Sequence, residues 1–332
     1  MNVSVIVPAF NAAKTIGACL DGLFAQTLPR DRYEVIVVDD GSTDATRARA
    51  QTRGALVVTQ DNRGAGAARN TGAQNARGDL LCFIDADSIP DPRWLAELIA
   101  PFADATIAGA SGEKKTRQTN LIARYVQFEY DFKYARLARG AMDFVDSSTA
   151  AYRRDIFIAS GGFDATLGEA EDTELSFRLA ERGNKMILAR DAIVWHHHPE
   201  ALGEFLRRKY QYAIWRAIVY ARFPRKAARD QRTPTWQKLQ LPLAFALIPF
   251  TLGALIWNAL AWAVIAILVL FGATTLPFAF YCWRRDARAG IIAPFVLLLT
   301  AYAGGAGAAR GIFRKRTERR PSATHSHTDS TL

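Results

Sequence analysis

The sequence has few cysteines, no internal repeat and no basic stretch before its first apolar segment. Its three cysteines, Cys19, Cys82 and Cys282, lie far apart and lack the spacing of a metal site. Cys19 and Cys82 fall in apolar patterns that are typical of core residues. These absences exclude a disulfide framework and favour a reducing compartment. Because the start, MNVSVIVPAF, has the pattern of a strand rather than of a secretory signal, we expect the part before the long apolar runs to stay in the cytosol.

Apolar residues are distributed unevenly along the 332-residue chain. Up to about Trp236 they form short runs between charged stretches, and from Leu239 to about Ala309 they form long runs that are typical of a membrane protein. The formal net charge is +10, and many of the basic residues flank the long runs. Bases in that position indicate a surface that faces membrane lipid. Because no recognition motif accompanies the charge, nucleic acid is not an expected partner.

Four regions are predicted along the chain. In residues 1–200 short strands alternate with helices, which predicts an α/β domain with a mostly parallel sheet and helices on both faces. Residues 201–238 are expected to form a basic interfacial helix and a linker, and residues 239–309 a membrane region with two or three helices. Residues 310–332 are expected to be a basic, disordered tail. A third crossing would place that tail outside, against the positive-inside rule, so both numbers of crossings stay open.

Carboxylates follow two of the predicted strands. Asp39 and Asp40 end the run YEVIVVDD, and Asp85 and Asp87 end the run LLCFIDAD. Ligands bind at the carboxyl ends of the strands in open parallel sheets, so these side chains are expected beside a cleft. In an extended strand Asp85 and Asp87 would share a face, and their oxygens would suit a Mg²⁺ ion that also binds a diphosphate. The alternative is a loop with two solvated carboxylates.

Other candidate residues each have two interpretations. Asp39 and Asp40 would accept hydrogen bonds from a nucleoside, or they would stabilise an ordinary Asp-Gly-Ser turn. Asp172 would act as a general base toward a hydroxyl, or it would belong to an acidic cluster at a helix N-terminus. His196 would complete a metal shell or contact a phosphate, or it would be a polar residue at a strand end. Arg69 would lie near the phosphates or on a helix surface.

The glycine-rich stretch NRGAGAARNTG excludes a nicotinamide-dependent enzyme. A dinucleotide-binding fingerprint needs glycine at its first, third and sixth positions. Here Gly64 and Gly66 are followed by Arg69 at the sixth position. The first strand-to-helix turn, PAFNAAKT, has no glycine cluster either.

Six stretches taken together resemble the family 2 glycosyltransferases, which have the GT-A fold. They are VSVIVPAFN, VVDDGSTD, NRGAGAARNTG, FIDADS, GGFD and EDTELSFRL, and they occur in family order over about residues 2–200. The resemblance implies inverting transfer of a sugar from a nucleotide-diphospho-sugar, with Mg²⁺ or Mn²⁺ as the cofactor. The C-terminal part is similar to bacterial enzymes of exopolysaccharide or cell-envelope assembly. That similarity implies a polyprenyl-linked saccharide acceptor and a plasma-membrane protein whose catalytic domain faces the cytoplasm.

The resemblance and the charge pattern together define four groups of candidate site residues. Asp172 is expected to be the catalytic base. The metal site is expected to contain Asp85, Asp87 and His196. The nucleotide-sugar site is expected to contain Pro8, Phe10, Asp39, Asp40, Arg69 and Asp85. The acceptor side is expected to contain Gly161, Gly162, Phe163, Asp164 and Glu171.

Two alternative functions stay open at this point. The first is transfer directly to polyprenyl phosphate, which is already ionised and needs less help from a base. The second is a non-catalytic membrane scaffold on a GT-A fold. Processive polymerisation is not expected, because the Gln-x-x-Arg-Trp motif of processive members has no full match. The segment Gln211 to Trp215 comes nearest, and it lacks the arginine.

Overall fold

The computed structural model describes residues 2–137, 142–228 and 233–318. Eight strands lie in these ranges: β1 (Val3–Ala9), β2 (Tyr33–Asp39), β3 (Leu56–Thr59), β4 (Leu80–Ile84), β5 (Ile89–Pro90), β6 (Ile107–Lys115), β7 (Thr149–Arg153) and β8 (Lys185–Trp195). The α-helices that precede residue 200 are α1 (Ile16–Phe24), α2 (Thr46–Thr52), α3 (Ala65–Asn75), α4 (Trp94–Ile99), α5 (Leu121–Arg136), α6 (Arg154–Ala159) and α7 (Glu171–Glu181). Those that follow are α8 (Leu202–Arg222), α9 (Pro224–Ala228), α10 (Thr235–Ala254), α11 (Leu260–Trp283) and α12 (Ala287–Glu318).

The strands form one mixed sheet in the order β3-β2-β1-β4-β7-β6-β8-β5. The neighbours among β3, β2, β1 and β4 are parallel, and their β-branched sequences suit strands that are covered on both faces. Strand β7 runs antiparallel to both β4 and β6, and β5 runs antiparallel to β8. The predicted α/β sheet with flanking helices is therefore confirmed, although its second half is mixed rather than parallel.

Helices cover both faces of the sheet, and a hydrophobic core lies on each face. A third hydrophobic core lies between α5 and the later helices. The aromatic rings of Tyr125 and Phe128 on α5 pack in one cluster with Phe205 of α8, Phe278 of α11 and Leu297 of α12. Burial of such rings is the main force that joins packed elements. A division at residue 200 therefore cuts through a shared core rather than between two independent packing units.

Two helices, Leu260–Trp283 and the first 28 residues of α12 (Ala287–Arg314), are long and apolar enough to cross a membrane. Helix α10 is also apolar, contains Pro242 and Pro249, and begins at Thr235, which is earlier than expected. Helix α12 continues to Glu318, so the first part of the segment expected to be a disordered tail is helical. The rest of that segment, residues 319–332, lies outside the described residues.

The basic helix α8 packs along α12 at very short range. A Cβ atom built on Gly307 would collide with the carbonyl oxygen of Tyr210, and one built on Gly311 would collide with that of Ile214. Gly307 and Gly311 are four residues apart, and so are Tyr210 and Ile214. One face of α12 therefore lies against one face of α8 over at least one turn. Small residues at such spacing allow the backbones of two helices to approach closely. Helix α8 is therefore buried along this face.

Candidate active site

The aspartates after β4 stand in a turn rather than in the strand. Strand β4 ends at Ile84, and the backbone N–H of Ser88 donates to the carbonyl oxygen of Asp85 at 3.0 Å. The expectation that Asp85 and Asp87 share the face of an extended strand is therefore wrong. Both side chains nevertheless line the same cavity, because the turn stands at the carboxyl end of the sheet.

A buried arginine joins this turn to helix α7. Arg69 on α3 donates from Nη1 to Glu171 Oε1 at 2.6 Å and from Nη2 to Asp85 Oδ1 at 2.8 Å. Its side chain is only 5% exposed. Burial alone would lower the pKa of Arg69, but Asp85 and Glu171 outweigh it and hold that pKa above its ordinary value. Both terminal nitrogens of the guanidinium thus bind carboxylates. Contact between Arg69 and a phosphate stays a prediction.

Glu171 is the first residue of α7, and its burial makes its carboxyl group a weaker acid. Burial raises the pKa of this carboxyl group to about 7, with Asp172 adding to the rise and Arg69 opposing it. The next residue, Asp172, accepts a hydrogen bond at Oδ1 from the backbone N–H of Thr173 at 2.6 Å. Glu171 and Asp172 both line the cavity. The dipole at this helix start favours the negative charge that a base needs.

The segment before α7 has a strained backbone and packs against side chains of α8. Ala170 has a left-handed backbone with φ of 64°, which side-chain-bearing residues rarely adopt. A Cβ atom on Gly168 would lie 2.7 Å from the indole ring of Trp215, so only glycine fits there. The hydroxyl groups of Tyr212 and Thr173 lie 3.1 Å apart. Helix α8 therefore helps to hold the turn that presents Asp172.

Asp87 and His196, two of the three residues of the predicted metal site, lie close together beside the cavity. Asp87 Oδ1 lies 3.6 Å from His196 Nδ1, and the Asp87 side chain is 48% exposed. Burial and the nearby Lys114 lower the pKa of His196, which favours the neutral imidazole that binds metals. Among the described residues no group of three or more acidic, histidine or cysteine side chains is arranged to hold an ion alone. Asp87 and His196 fit a cation that takes its remaining ligands from a diphosphate.

A buried ion pair in the cavity wall was missed by the sequence analysis. Lys114 at the end of β6 lies 3.2 Å from Asp146 Oδ2, and both side chains are at most 10% exposed. Burial opposes the charge on Lys114, but Asp146 outweighs it and holds the pKa of Lys114 well above its ordinary value. The signal available in the sequence was the pair of lysines that ends the apolar run IAGASGEKK.

The cavity has a volume of about 690 Å³ and lies between the sheet and the later helices. Asp85, Asp87, Asp172 and His196 line the end near the sheet. Side chains of α5, α8, α10, α11 and α12 line the rest. The structure thus brings together the predicted base and the predicted metal ligands in one space.

The other predicted nucleotide-site residues lie at the ends of β1 and β2. Phe10 is 50% exposed and leaves a ring face available for a base. Asp39 accepts from the backbone N–H of Ser42 and from Arg47, while Asp40 accepts from Gln60 and from the N–H groups of Arg63 and Gly64. Both aspartates are buried and stabilise turns, so their contact with a nucleoside stays a prediction. Pro8 lies within β1 and is also buried.

The stretch GGFD packs against α3 and does not line the cavity. Gly161 and Gly162 have positive φ angles of 90° and 69°, which turn the chain back toward the sheet. The side-chain amide of Asn70 on α3 donates to the carbonyl oxygen of Phe163 at 2.8 Å and accepts from its backbone N–H at 2.9 Å. Phe163 is 2% exposed, and Asp164 pairs with Arg222 of α8 at 2.6 Å. Of the five residues expected on the acceptor side, Glu171 lines the cavity and the four residues of GGFD do not, so their contact with an acceptor stays a prediction.

The fold and the site define a nucleotide-sugar-dependent glycosyltransferase of the GT-A type. Residues 4–161 match the family model described as Glycosyl transferase family 2. This match covers just under half of the chain, and it assigns residues 4–161 to a glycosyltransferase domain that is similar to those of family 2. The hypothesis of a non-catalytic scaffold is not retained.

Known proteins support this assignment over most of the chain. Glycosyltransferase AglE of Haloferax volcanii is 27% identical over 228 residues, which cover 63% of this chain and 71% of that protein. The pre-mycofactocin glycosyltransferase of Mycobacterium tuberculosis is 28% identical over 240 residues, or 68% of this chain but only 49% of that protein. The mannosyltransferase PcManGT of Pyrobaculum calidifontis was solved with GDP-Man and Mn²⁺. It superposes with a TM-score of 0.63 at 25% identity, covering 95% of this chain and 88% of its own.

Proposed function

We propose that the protein transfers one sugar, with inversion, from a nucleotide-diphospho-sugar to a saccharide carried by a polyprenyl lipid. The observation that carries this proposal is the single cavity that joins Asp85, Asp87 and Asp172 to helices apolar enough to cross a membrane. We place the protein in a bacterial plasma membrane, with the cavity on the cytoplasmic side and with exopolysaccharide or cell-envelope glycan as the product class.

In this proposal the side chains have distinct tasks. Asp172 accepts the proton of the acceptor hydroxyl while that oxygen attacks the anomeric carbon from the face opposite the leaving diphosphate. Arg69 fixes the orientation of Asp85, and the aromatic ring of Phe10 supports the nucleoside. Asp87, with His196 and Asp85 in support, would hold Mg²⁺ or Mn²⁺. A bound divalent cation supplies positive charge that stabilises the leaving diphosphate. PcManGT, whose structure contains Mn²⁺, supports this choice of ion.

Replacement of the base tests the proposal. Asp172→Asn keeps the shape and the hydrogen bond to Thr173 but removes the proton acceptor. We expect turnover to fall about 100- to 10,000-fold, as is usual when one positioned base is lost. Nucleotide affinity, measured by calorimetry with UDP, GDP or dTDP in the presence of Mn²⁺, should change less than about twofold. An Asp172→Asn enzyme with full transfer activity would refute the assignment of the base.

A further inference from the structure

The wall of the cavity that α8 provides carries cations on one helical face. Lys209, Tyr212, Ala213 and Arg216 all line the cavity, and their spacing of three and four residues places them on one stripe. Because the Tyr212 hydroxyl lies 3.1 Å from Thr173 Oγ1, this stripe reaches the residue next to the proposed base. Lys209 and Arg216 are each about one helical turn from Tyr212, or about 5 Å along the axis. Lys209 pairs with Glu129 at 2.8 Å, so Arg216 is the cation of this stripe that has no such acidic contact with Glu129.

A second group of cations faces the same space from α5. Lys133 and Arg136 line the cavity. Burial lowers the pKa of Arg136, and its guanidinium lies 5.7 Å from the centre of the Phe132 ring. Within the described ranges no carboxylate is within ion-pair distance of Arg136. A cation that is partly removed from water and lacks an acidic partner favours an anionic ligand.

The part of the cavity wall that α10, α11 and α12 provide is largely apolar and is called the apolar end. It is lined by Trp236 of α10, Phe278 of α11, and Leu297 and Gly304 of α12. A Cβ atom on Gly304 would meet nothing within 4 Å, so space remains beside this residue. Thr300, one turn before Gly304, is a lining residue, and its buried hydroxyl oxygen has no hydrogen-bond partner among the described residues. Such a group is costly unless a ligand or water satisfies it.

From this arrangement we propose that the cavity binds the phosphate and the first isoprene units of a lipid phosphate acceptor. Arg136 of α5, with the cavity-lining Lys133 and Arg216, faces the phosphate oxygens, and the apolar end receives the start of the tail. This inference rests on the proposed function and specifies where its lipid acceptor binds. The shared chemistry is a lipid monophosphate or a lipid diphosphate, and the experiment separates the two.

Ligand-induced stabilisation of the full chain in detergent provides the first test. The probes are farnesyl phosphate, farnesyl diphosphate, farnesol and inorganic phosphate, each titrated while the unfolding midpoint is measured. We expect one of the two lipid phosphates to stabilise the protein at concentrations at least about tenfold below farnesol and inorganic phosphate. Tighter binding of farnesyl diphosphate would agree with a saccharide carried on a lipid diphosphate, and tighter binding of farnesyl phosphate would favour direct transfer to a lipid phosphate. Equal stabilisation by farnesol would show that the phosphate is not recognised, and equal stabilisation by inorganic phosphate would show that the tail is not.

A steric variant tests the apolar end. Gly304→Leu fills the free space in the cavity and should weaken farnesyl phosphate or diphosphate binding at least about tenfold, since overpacking a formed site is costly. Gly272→Leu is the matched control, because Gly272 in α11 also has nothing within 4 Å and does not line the cavity. Nucleotide binding should be unchanged in both variants. Undiminished lipid phosphate binding by folded Gly304→Leu would overturn the proposed position of the tail.

A charge variant tests the phosphate position and does not depend on repacking. Arg136→Gln removes an exposed cation of the cavity and should weaken lipid phosphate binding about five- to tenfold. Arg207→Gln is the control, because Arg207 is an exposed arginine of α8 that does not line the cavity. Equal binding by the two variants would overturn the role of the α5 cations.

The failure of this inference differs from the failure of the proposed function. A wild-type protein that binds a nucleotide with Mn²⁺ but none of the lipid phosphates would refute only the acceptor site. A protein that binds no nucleotide in the presence of Mn²⁺ would refute the proposed function itself.

Discussion

At the scale of single residues, Arg69 determines the geometry of the site. Its two terminal nitrogens bind Asp85 and Glu171, which lie 86 positions apart in the sequence and belong to different elements. A planar guanidinium with several donors suits this double contact better than an ammonium group does. The aspartate turn and the helix that carries the proposed base are therefore oriented by one buried side chain.

Removing this side chain should destabilise the protein strongly. Arg69→Met keeps much of the volume but leaves Asp85 and Glu171 without their buried cation, which typically costs about 3 to 5 kcal/mol. Arg53→Met is the control, because Arg53 pairs with Asp21 at the surface, and such pairs contribute at most about 1 kcal/mol. Chemical denaturation in detergent would measure both changes. Similar losses in the two variants would contradict the proposed role of Arg69.

The acidity of Glu171 predicts a specific dependence of stability on pH. Because burial raises its pKa from 4.5 to about 7, the folded state binds this proton more tightly than the unfolded state does. The stabilisation that the protonated Glu171 carboxyl group gives to the folded state is complete below about pH 4.5, and it is lost as the pH rises toward 7. Glu171→Gln should remove that loss, so its unfolding midpoint should fall less than the wild-type midpoint between pH 5 and pH 7. Parallel pH profiles would show that Glu171 does not titrate in this range.

The residue scale also shows why the sequence predicted some site residues and missed others. The sequence placed Asp85, Asp87 and Asp172 correctly in one cavity, because strand ends and helix starts can be recognised from local patterns. It missed the pairing of Lys114 with Asp146, which requires the positions of two distant segments. It also did not indicate that the Phe163 ring is buried in the core, because this burial depends on positive φ angles at the two preceding glycines.

At the scale of elements, the contact between α8 and α12 connects the catalytic domain to the apolar helices. Gly307 and Gly311 lie against the backbone of α8, so the separation of the two helices is set by backbone contact rather than by side chains. Helix α8 in turn contacts α7 through Tyr212 and the segment before α7 through Trp215. The periodic pattern of α8 predicted a helix, but it did not indicate which of its faces would be buried.

A single added methyl group should disturb this contact. Gly307→Ala should destabilise the protein by about 1 to 3 kcal/mol because the new Cβ collides with the carbonyl of Tyr210. Gly272→Ala, at an open position of α11, should be neutral or slightly stabilising, because alanine favours helices over glycine by up to about 1 kcal/mol. Thermal unfolding in detergent would compare them. A stabilising Gly307→Ala would show that the two helices are not in close contact.

At the scale of the whole molecule, the chain has two regions by composition but one continuous packing arrangement. The sequence identified the sheet, its helices and the long apolar runs, because hydrophobic periodicity records local burial. It could not show that α5 shares a core with α8, α11 and α12, because this depends on aromatic contacts such as Tyr125 with Phe278, with ring centres 5.4 Å apart.

This shared core predicts that residues 1–200 do not form a soluble domain by themselves. Without α8, α11 and α12, the ring faces of Tyr125 and Phe128 would be exposed as an apolar patch, which promotes aggregation. We expect the fragment to be insoluble or to form large aggregates in size-exclusion chromatography, while the full chain is monodisperse in detergent. A soluble, monomeric fragment that binds a nucleotide would contradict the structural importance of this core.

The stacking of Arg314 on Trp215 gives α12 a mechanical connection to the turn before α7. The guanidinium carbon lies 4.5 Å from the ring centre, and the same indole contacts Gly168. In the proposed membrane placement, a thinner or thicker bilayer changes the tilt of α12 to match its hydrophobic length. We expect such a tilt to shift Trp215 and the turn that presents Asp172, so the rate of the proposed sugar transfer should vary with lipid chain length.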